Sequence, residues 1–141
     1  MAESPNKKPE SDILLVEDNR GDALVIIQVV AELPFRATLH IAQDGAEALS
    51  MLSDLSFEPS LIILDLSLPL ISGHIVLERN PRKNVPVVIF SASWNDVDLD
   101  RAFSLGAAEY VQKPMGLTAY KDAVRAMIER WIVHEKDGTG H

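Results

Sequence analysis

Short, nearly uninterrupted apolar runs alternate along the chain with longer segments of mixed character. The runs are DILLV (12–16), ATLHIA (37–42), SLIILD (60–65), VPVVIF (85–90) and AAEYVQ (107–112). They are rich in aliphatic and β-branched residues and show little polar alternation, which predicts strands covered on both faces. The intervening segments have helical spacing. Ala23 to Leu33 is long and apolar. GAEALSMLSDL places Ala48, Leu49, Leu52 and Leu55 one, three and three residues apart, and Asp44 with Glu47 resembles a capping box at its start. SGHIVLERN predicts a third helix, stunted by the short stretch from Gly73 to Val85. WNDVDLDRAFSLG stops at Gly106. In LTAYKDAVRAMIERWIV, residues Leu117, Tyr120, Val124, Met127, Ile128 and Trp131 fall at helical steps.

Strand–helix alternation repeated five times predicts an α/β domain around a parallel sheet. Right-handed crossovers then bring all the strand C-termini to one edge, where open sheets of this kind bind ligands.

Composition narrows the field of functions. The 141 residues carry 13 basic and 21 acidic side chains, a formal net charge of -8. That argues against nucleic acid or an anionic membrane as the main partner. There is no cysteine, so disulfides, thiolate metal sites and Cys nucleophiles are excluded. The apolar runs are too short to cross a bilayer. Residues 1–11 (MAESPNKKPES) lack the apolar core of a secretory signal and read as a disordered lead-in. Residues 134–141 read the same way. The expectation is one cytoplasmic domain over 12–133 with no output domain.

The residues after each apolar run are the informative ones. Glu17 and Asp18 follow the first, Asp65 ends the third, Ser91 follows the fourth, and Lys113 with Pro114 follows the fifth. Singly, each has an ordinary reading: a helix cap, a solvated acid, a surface lysine. In a parallel sheet they converge on one edge. Three neighbouring carboxylates repel one another unless a cation intervenes. A hard divalent ion, Mg²⁺ or Mn²⁺, takes oxygen ligands of this kind, and Lys113 adds a fixed positive charge. Metal, lysine and the Ser91 hydroxyl together suit a phosphoryl group, with Asp65 as the nucleophile that receives it.

At this point the chain resembles the receiver domains of two-component response regulators. The matching pieces are ILLVEDN, DLSLPLISG with Asp65, Pro69 and Gly73, FSAS with Ser91 and Ala92, and YVQKP with Tyr110, Lys113 and Pro114. They occur in the family's order and cover about residues 12 to 133. The resemblance implies a flavodoxin-like (βα)5 sheet in the order 2-1-3-4-5. It implies that Asp65 accepts a phosphoryl group from a histidine kinase or phosphotransfer protein, making the chain a phosphoacceptor in a phosphorelay and not an enzyme acting on other substrates. Asp18 would bind Mg²⁺ directly and Glu17 through water, with the Ser67 carbonyl as a further ligand. Lys113, Ser91 and the Ala92 backbone N–H would clamp the phosphoryl oxygens. Tyr110 would be the switch aromatic that follows Ser91. The Lys113–Pro114 bond would be cis, as is usual in the family. ILLVEDNRGDA is similar to regulators paired with bacterial phytochrome kinases.

Ser67 and Ser93 stand two residues after Asp65 and Ser91, where an acid or amide would orient an attacking water. Slow self-dephosphorylation is the expectation. Output is expected through protein binding, at the face of the fourth helix, fifth strand and fifth helix or at the first helix, which is apolar nearly all round; a homodimer is one such contact. An aspartyl phosphohydrolase is the enzyme alternative, and Ser67, where such hydrolases commonly carry a second acid, counts against it. The other alternative is an interaction module independent of phosphorylation. The four histidines, His40, His74, His134 and His141, show no metal-ligand spacing.

Overall fold

The computed structural model describes residues 11–133; the expected polar lead-in and tail otherwise lie outside them. Five strands alternate with five helices: β1 (Ser11–Val16), α1 (Arg20–Ala31), β2 (Ala37–Ala42), α2 (Gly45–Ser53), β3 (Leu61–Leu64), α3 (Gly73–Arg79), β4 (Val87–Ser91), α4 (Asp96–Ser104), β5 (Glu109–Gln112) and α5 (Leu117–Ile128). A π-helical turn, Glu129–Val133, continues α5. All strand pairs are parallel, in the order β2-β1-β3-β4-β5. This is the doubly wound, flavodoxin-like order expected. Ser11 pairs with Ala37 and so belongs to the sheet, not to the lead-in.

Strand residues alternate between two cores. Leu14, Val16, Ile62, Leu64, Val87 and Ile89 meet Leu52 of α2, Val76 of α3 and Ala102 of α4 on one face. Ile13, Leu15, Leu61, Ile63, Val88 and Phe90 meet Ile26 and Val29 of α1 and Val124, Met127 and Ile128 of α5 on the other. Both faces of β1, β3 and β4 are therefore covered, which explains their unbroken apolar runs, whereas β2 and β5 at the sheet edges are only partly buried. Each fully buried Ile, Leu or Phe contributes about 2 kcal/mol by burial.

Local chemistry sets the helix starts. Asn19 caps α1 by accepting from the Asp22 N–H at 2.9 Å, so the helix begins at Arg20, ahead of the apolar stretch. Asp44 accepts from the Glu47 N–H at 2.8 Å, and Glu47 reaches back to the Gln43 N–H at 2.8 Å. The capping box thus forms with its return bond one residue early. Asn95 caps α4 through the Asp98 N–H. After α4 the chain turns at Gly106 with φ 107°, a conformation open to glycine. The third helix is short, as expected, and ends before Asn80–Pro81.

Two apolar expectations shift. Leu117, the first residue of α5, is 61% exposed. On α1, Leu24 and Ile27 are exposed while Ile26, Val29 and Val30 carry the packing. Among the described residues no helix is long and apolar enough to cross a membrane.

Candidate functional site

The sheet delivers its strand-end residues to one place. Glu17 follows β1 and is tied to β2 by its N–H on the Ala42 carbonyl at 3.0 Å. The Asp65 N–H donates to the Val16 carbonyl at 3.1 Å, and the Lys113 N–H to the Ser91 carbonyl at 2.8 Å. These ladder bonds bring three side chains together. The Lys113 ammonium donates to Glu17 Oε1 at 2.8 Å, Asp65 Oδ2 at 2.9 Å and Asp22 Oδ2 at 2.7 Å. Glu17 and Asp65 are buried, at 3% and 6% exposure, so these are desolvated contacts and not surface pairs.

Burial pushes the Glu17 carboxyl up to about 7, with the Asp65 charge adding to it and Lys113 opposing. Burial alone would lower the Lys113 pKa, but bonds to Asp22, Glu17 and Asp65 outweigh it and drive it upward. The lysine stays charged and balances only part of the surrounding negative charge. Glu17, Asp18 and Asp65 each offer a carboxylate oxygen, all within 4.8 Å of one another, with Asp18 exposed. An all-oxygen, acid-rich set with one solvent-facing member fits a hard divalent cation that keeps several waters.

Gly73 explains the glycine after Asp65. A Cβ there would lie 2.5 Å from the Asp65 carbonyl oxygen and 2.6 Å from Leu66 Cα. The Gly73 N–H donates to the Leu66 carbonyl at 3.0 Å, folding the loop back under the acid. The Ser67 N–H donates to Asp65 Oδ1 at 3.0 Å, which fixes the carboxylate plane.

Ser91 is fully buried at the end of β4, and its hydroxyl accepts from the Ser93 N–H at 3.3 Å. Ala92 is exposed beside it. The Ser91 hydroxyl makes no hydrogen bond to the Asp65 carboxylate or the Lys113 ammonium; the three ammonium bonds go to Glu17, Asp22 and Asp65. Tyr110 lies inward, 7% exposed, its hydroxyl donating to the Ser93 carbonyl at 2.8 Å. Trp94 packs edge-on against it at 5.5 Å. The Ser93 hydroxyl donates to Asp98 Oδ2 at 2.5 Å, a bond that holds the Asp98 carboxyl below its ordinary value. His74, buried on α3, approaches the other Asp98 oxygen at 3.4 Å. His40 pairs with Asp12 at 2.9 Å, away from the acid cluster.

One expectation is corrected. No peptide bond among the described residues is cis, so Lys113–Pro114 is trans. Trans is the lower-energy isomer by about 0.5–1 kcal/mol, and from it the ammonium already reaches three carboxylates. Two residues at the site escaped the sequence reading: Asp22, the third partner of Lys113, and Tyr120, buried beneath it with an unpartnered hydroxyl. The available signal for Asp22 was its place in the first turn of the helix after β1, which faces the strand-end edge.

The chain matches the model of the response regulator receiver domain over residues 13–125. It is 34% identical to the probable methanogenesis regulatory protein FilR2 of Methanothrix harundinacea, across 85% of this chain and 83% of that protein. It is 31% identical to response regulator Rcp1 of Synechocystis, across 92% and 94%. The Mn(2+)-bound form of Rcp1 superposes with a TM-score of 0.80 at 31% identity, covering 86% and 94% of the two chains. The phosphorylated cyanobacterial phytochrome response regulator RcpA superposes with 0.82 at 31%, covering 88% and 95%. Sequence and topology lead to one conclusion: the chain belongs to the response regulator receiver domain family.

Proposed function

We propose that the domain takes a phosphoryl group onto Asp65 from a histidine kinase or phosphotransfer protein and signals by altered protein binding. The observation that carries this reading is the Asp65 carboxylate, buried at a strand end, held by the Lys113 ammonium within a cation-ready acid cluster. An Asp65 oxygen attacks phosphorus; the phosphorus bond to the donor's nitrogen or oxygen breaks, and the leaving group departs with that electron pair. Glu17, Asp18, Asp65 and the Ser67 carbonyl would hold Mg²⁺ or Mn²⁺, which neutralises charge on the transferring oxygens. Lys113 opposes the remaining negative charge, while Ser91 and the Ala92 N–H supply hydrogen bonds at the open side. Ser91 then leaves its present contact with Ser93, and Tyr110, bonded to the same Ser93 segment, responds. That coupling makes Tyr110 the switch and the α4–β5–α5 face the readout.

Likeness to the phytochrome response regulator RcpA supports a kinase of the phytochrome class as donor. The Ser93 hydroxyl donates to Asp98, which supports a long-lived acyl phosphate. The test is incubation with Mg²⁺ and acetyl phosphate followed by intact mass. One added phosphoryl is expected, dependent on the cation and absent from Asp65→Asn. An unmodified wild type would overturn the proposal.

A further inference from the structure

An ammonium has three N–H donors, and Lys113 spends all of them on carboxylates: Glu17, Asp22 and Asp65. Two of these acids belong with Asp18 to the cation cluster; Asp22 does not. With Glu17 and Asp65 engaged on a divalent cation, two donors would come free, the number a phosphoryl group can use. Asp22 keeps the third. A lysine side chain is long and flexible, so one retained anchor decides whether the free donors stay over Asp65.

Asp22 has a supporting neighbour. Tyr120 is 8% exposed, yet its buried hydroxyl has no hydrogen-bond partner. Its ring is fixed edge-on against Phe90 at 5.2 Å, and Lys113 Nζ lies 5.9 Å from the same Phe90 ring. Burial first, and then the charge of Asp22, keep the phenol protonated and a donor. Asp22 holds Lys113 through Oδ2, and Oδ1 would be the acceptor for the Tyr120 hydroxyl, which is unpartnered in this structure.

We propose that Asp22, steadied by the Tyr120 hydroxyl, is a positioning residue that keeps Lys113 aimed at Asp65 while the other carboxylates bind the cation. This deepens the phosphoryl-acceptor reading and rests on it. Asp22 acts through Lys113 and does not touch the transferred group.

The test uses the full chain with Asp22→Asn, Asp22→Glu and Tyr120→Phe, each checked by circular dichroism. Labelling by acetyl phosphate is followed at saturating Mg²⁺. The ¹H–¹⁵N signal of the Lys113 ammonium is recorded with Mg²⁺ and beryllofluoride. Asp22→Asn is expected to slow labelling about tenfold and Tyr120→Phe about threefold, as for other supporting contacts. The Lys113 signal should broaden in Asp22→Asn and sharpen again in Asp22→Glu, which a merely structural role would not produce. A wild type that labels on Asp65 while Asp22→Asn labels equally fast or faster, with an unchanged lysine signal, overturns the positioning role alone. A wild type that takes no label overturns this role and the acceptor reading together. If Asp22→Asn is unfolded, Tyr120→Phe decides, and a wild-type rate in it overturns the proposal.

Discussion

Lys113 Nζ and Glu17 Oε1 lie 2.8 Å apart across 96 positions of sequence, with both side chains nearly out of water. Even so, the Glu17 carboxyl holds its proton to about pH 7, against an ordinary value of 4.5. Between those values the folded chain binds more protons than the unfolded chain, so Glu17's contribution to stability declines as pH rises through the window. A cation needs the ionised form, so its affinity rises across the same window. In metal-free buffer, the Tm of wild type relative to Glu17→Gln should fall from about pH 5 to about pH 7.5. Calorimetry showing that difference flat or rising would contradict the assignment. Mg²⁺ titrations should tighten with pH in wild type.

Lys113→Met keeps the length of the side chain and removes its charge. Glu17, Asp22 and Asp65 then face one another without a cation. The expected loss in metal-free buffer is about 3 kcal/mol, the scale for breaking a buried ion pair from one side. Urea unfolding with and without Mg²⁺ checks it. The divalent ion should stabilise the variant by more than it stabilises wild type, and equal gains would mean that the lysine does not offset the acid cluster.

Gly73→Ala places a methyl group where the Asp65 carbonyl and Leu66 Cα already lie within 2.6 Å. These are backbone atoms, so relief requires the end of β3 to move. A destabilisation of about 2 kcal/mol is expected, together with slower acetyl phosphate labelling because Asp65 is displaced. A variant with wild-type urea midpoint and labelling rate would show that the loop shifts freely.

Tyr110→Phe keeps the buried ring and its edge contact with Trp94 but deletes the bond to the Ser93 carbonyl. A net cost of about 1 kcal/mol is expected. The Trp94 fluorescence change on adding Mg²⁺ and beryllofluoride should shrink in this variant. An undiminished change would remove Tyr110 from the switch.

The strand-and-helix order and the site's main residues were legible because they depend on short-range pattern. β2 falls on the predicted residues 37–42, and Asp44 with Glu47 makes the cap of α2, since both depend on neighbours a few positions away. Glu17, Asp18, Asp65 and Lys113 converge because parallel strands share one C-terminal edge. Asp22 was hidden for the opposite reason. A first-turn acid already has a sufficient local explanation in the helix dipole, and only the reach of Lys113 over 91 positions reveals its second use. Tyr120 looked like an ordinary core aromatic, and its packing is ordinary; the unpaired hydroxyl is a property of three-dimensional surroundings. The exposure of Leu24 and Ile27 likewise depends on how α1 settles between β2 and α5, which helical spacing does not specify.

The lysine of the pocket immediately follows the last strand, while the acids it restrains come from the first half of the chain. Domains generally fold as units. Until β5 docks, Glu17, Asp22 and Asp65 lack the Lys113 ammonium, and a partly assembled sheet gains less by drawing them close. Completion of the fold and completion of the chemistry are therefore one event. A copy cut before β5 would keep Glu17, Asp22 and Asp65 but lack the lysine that offsets them.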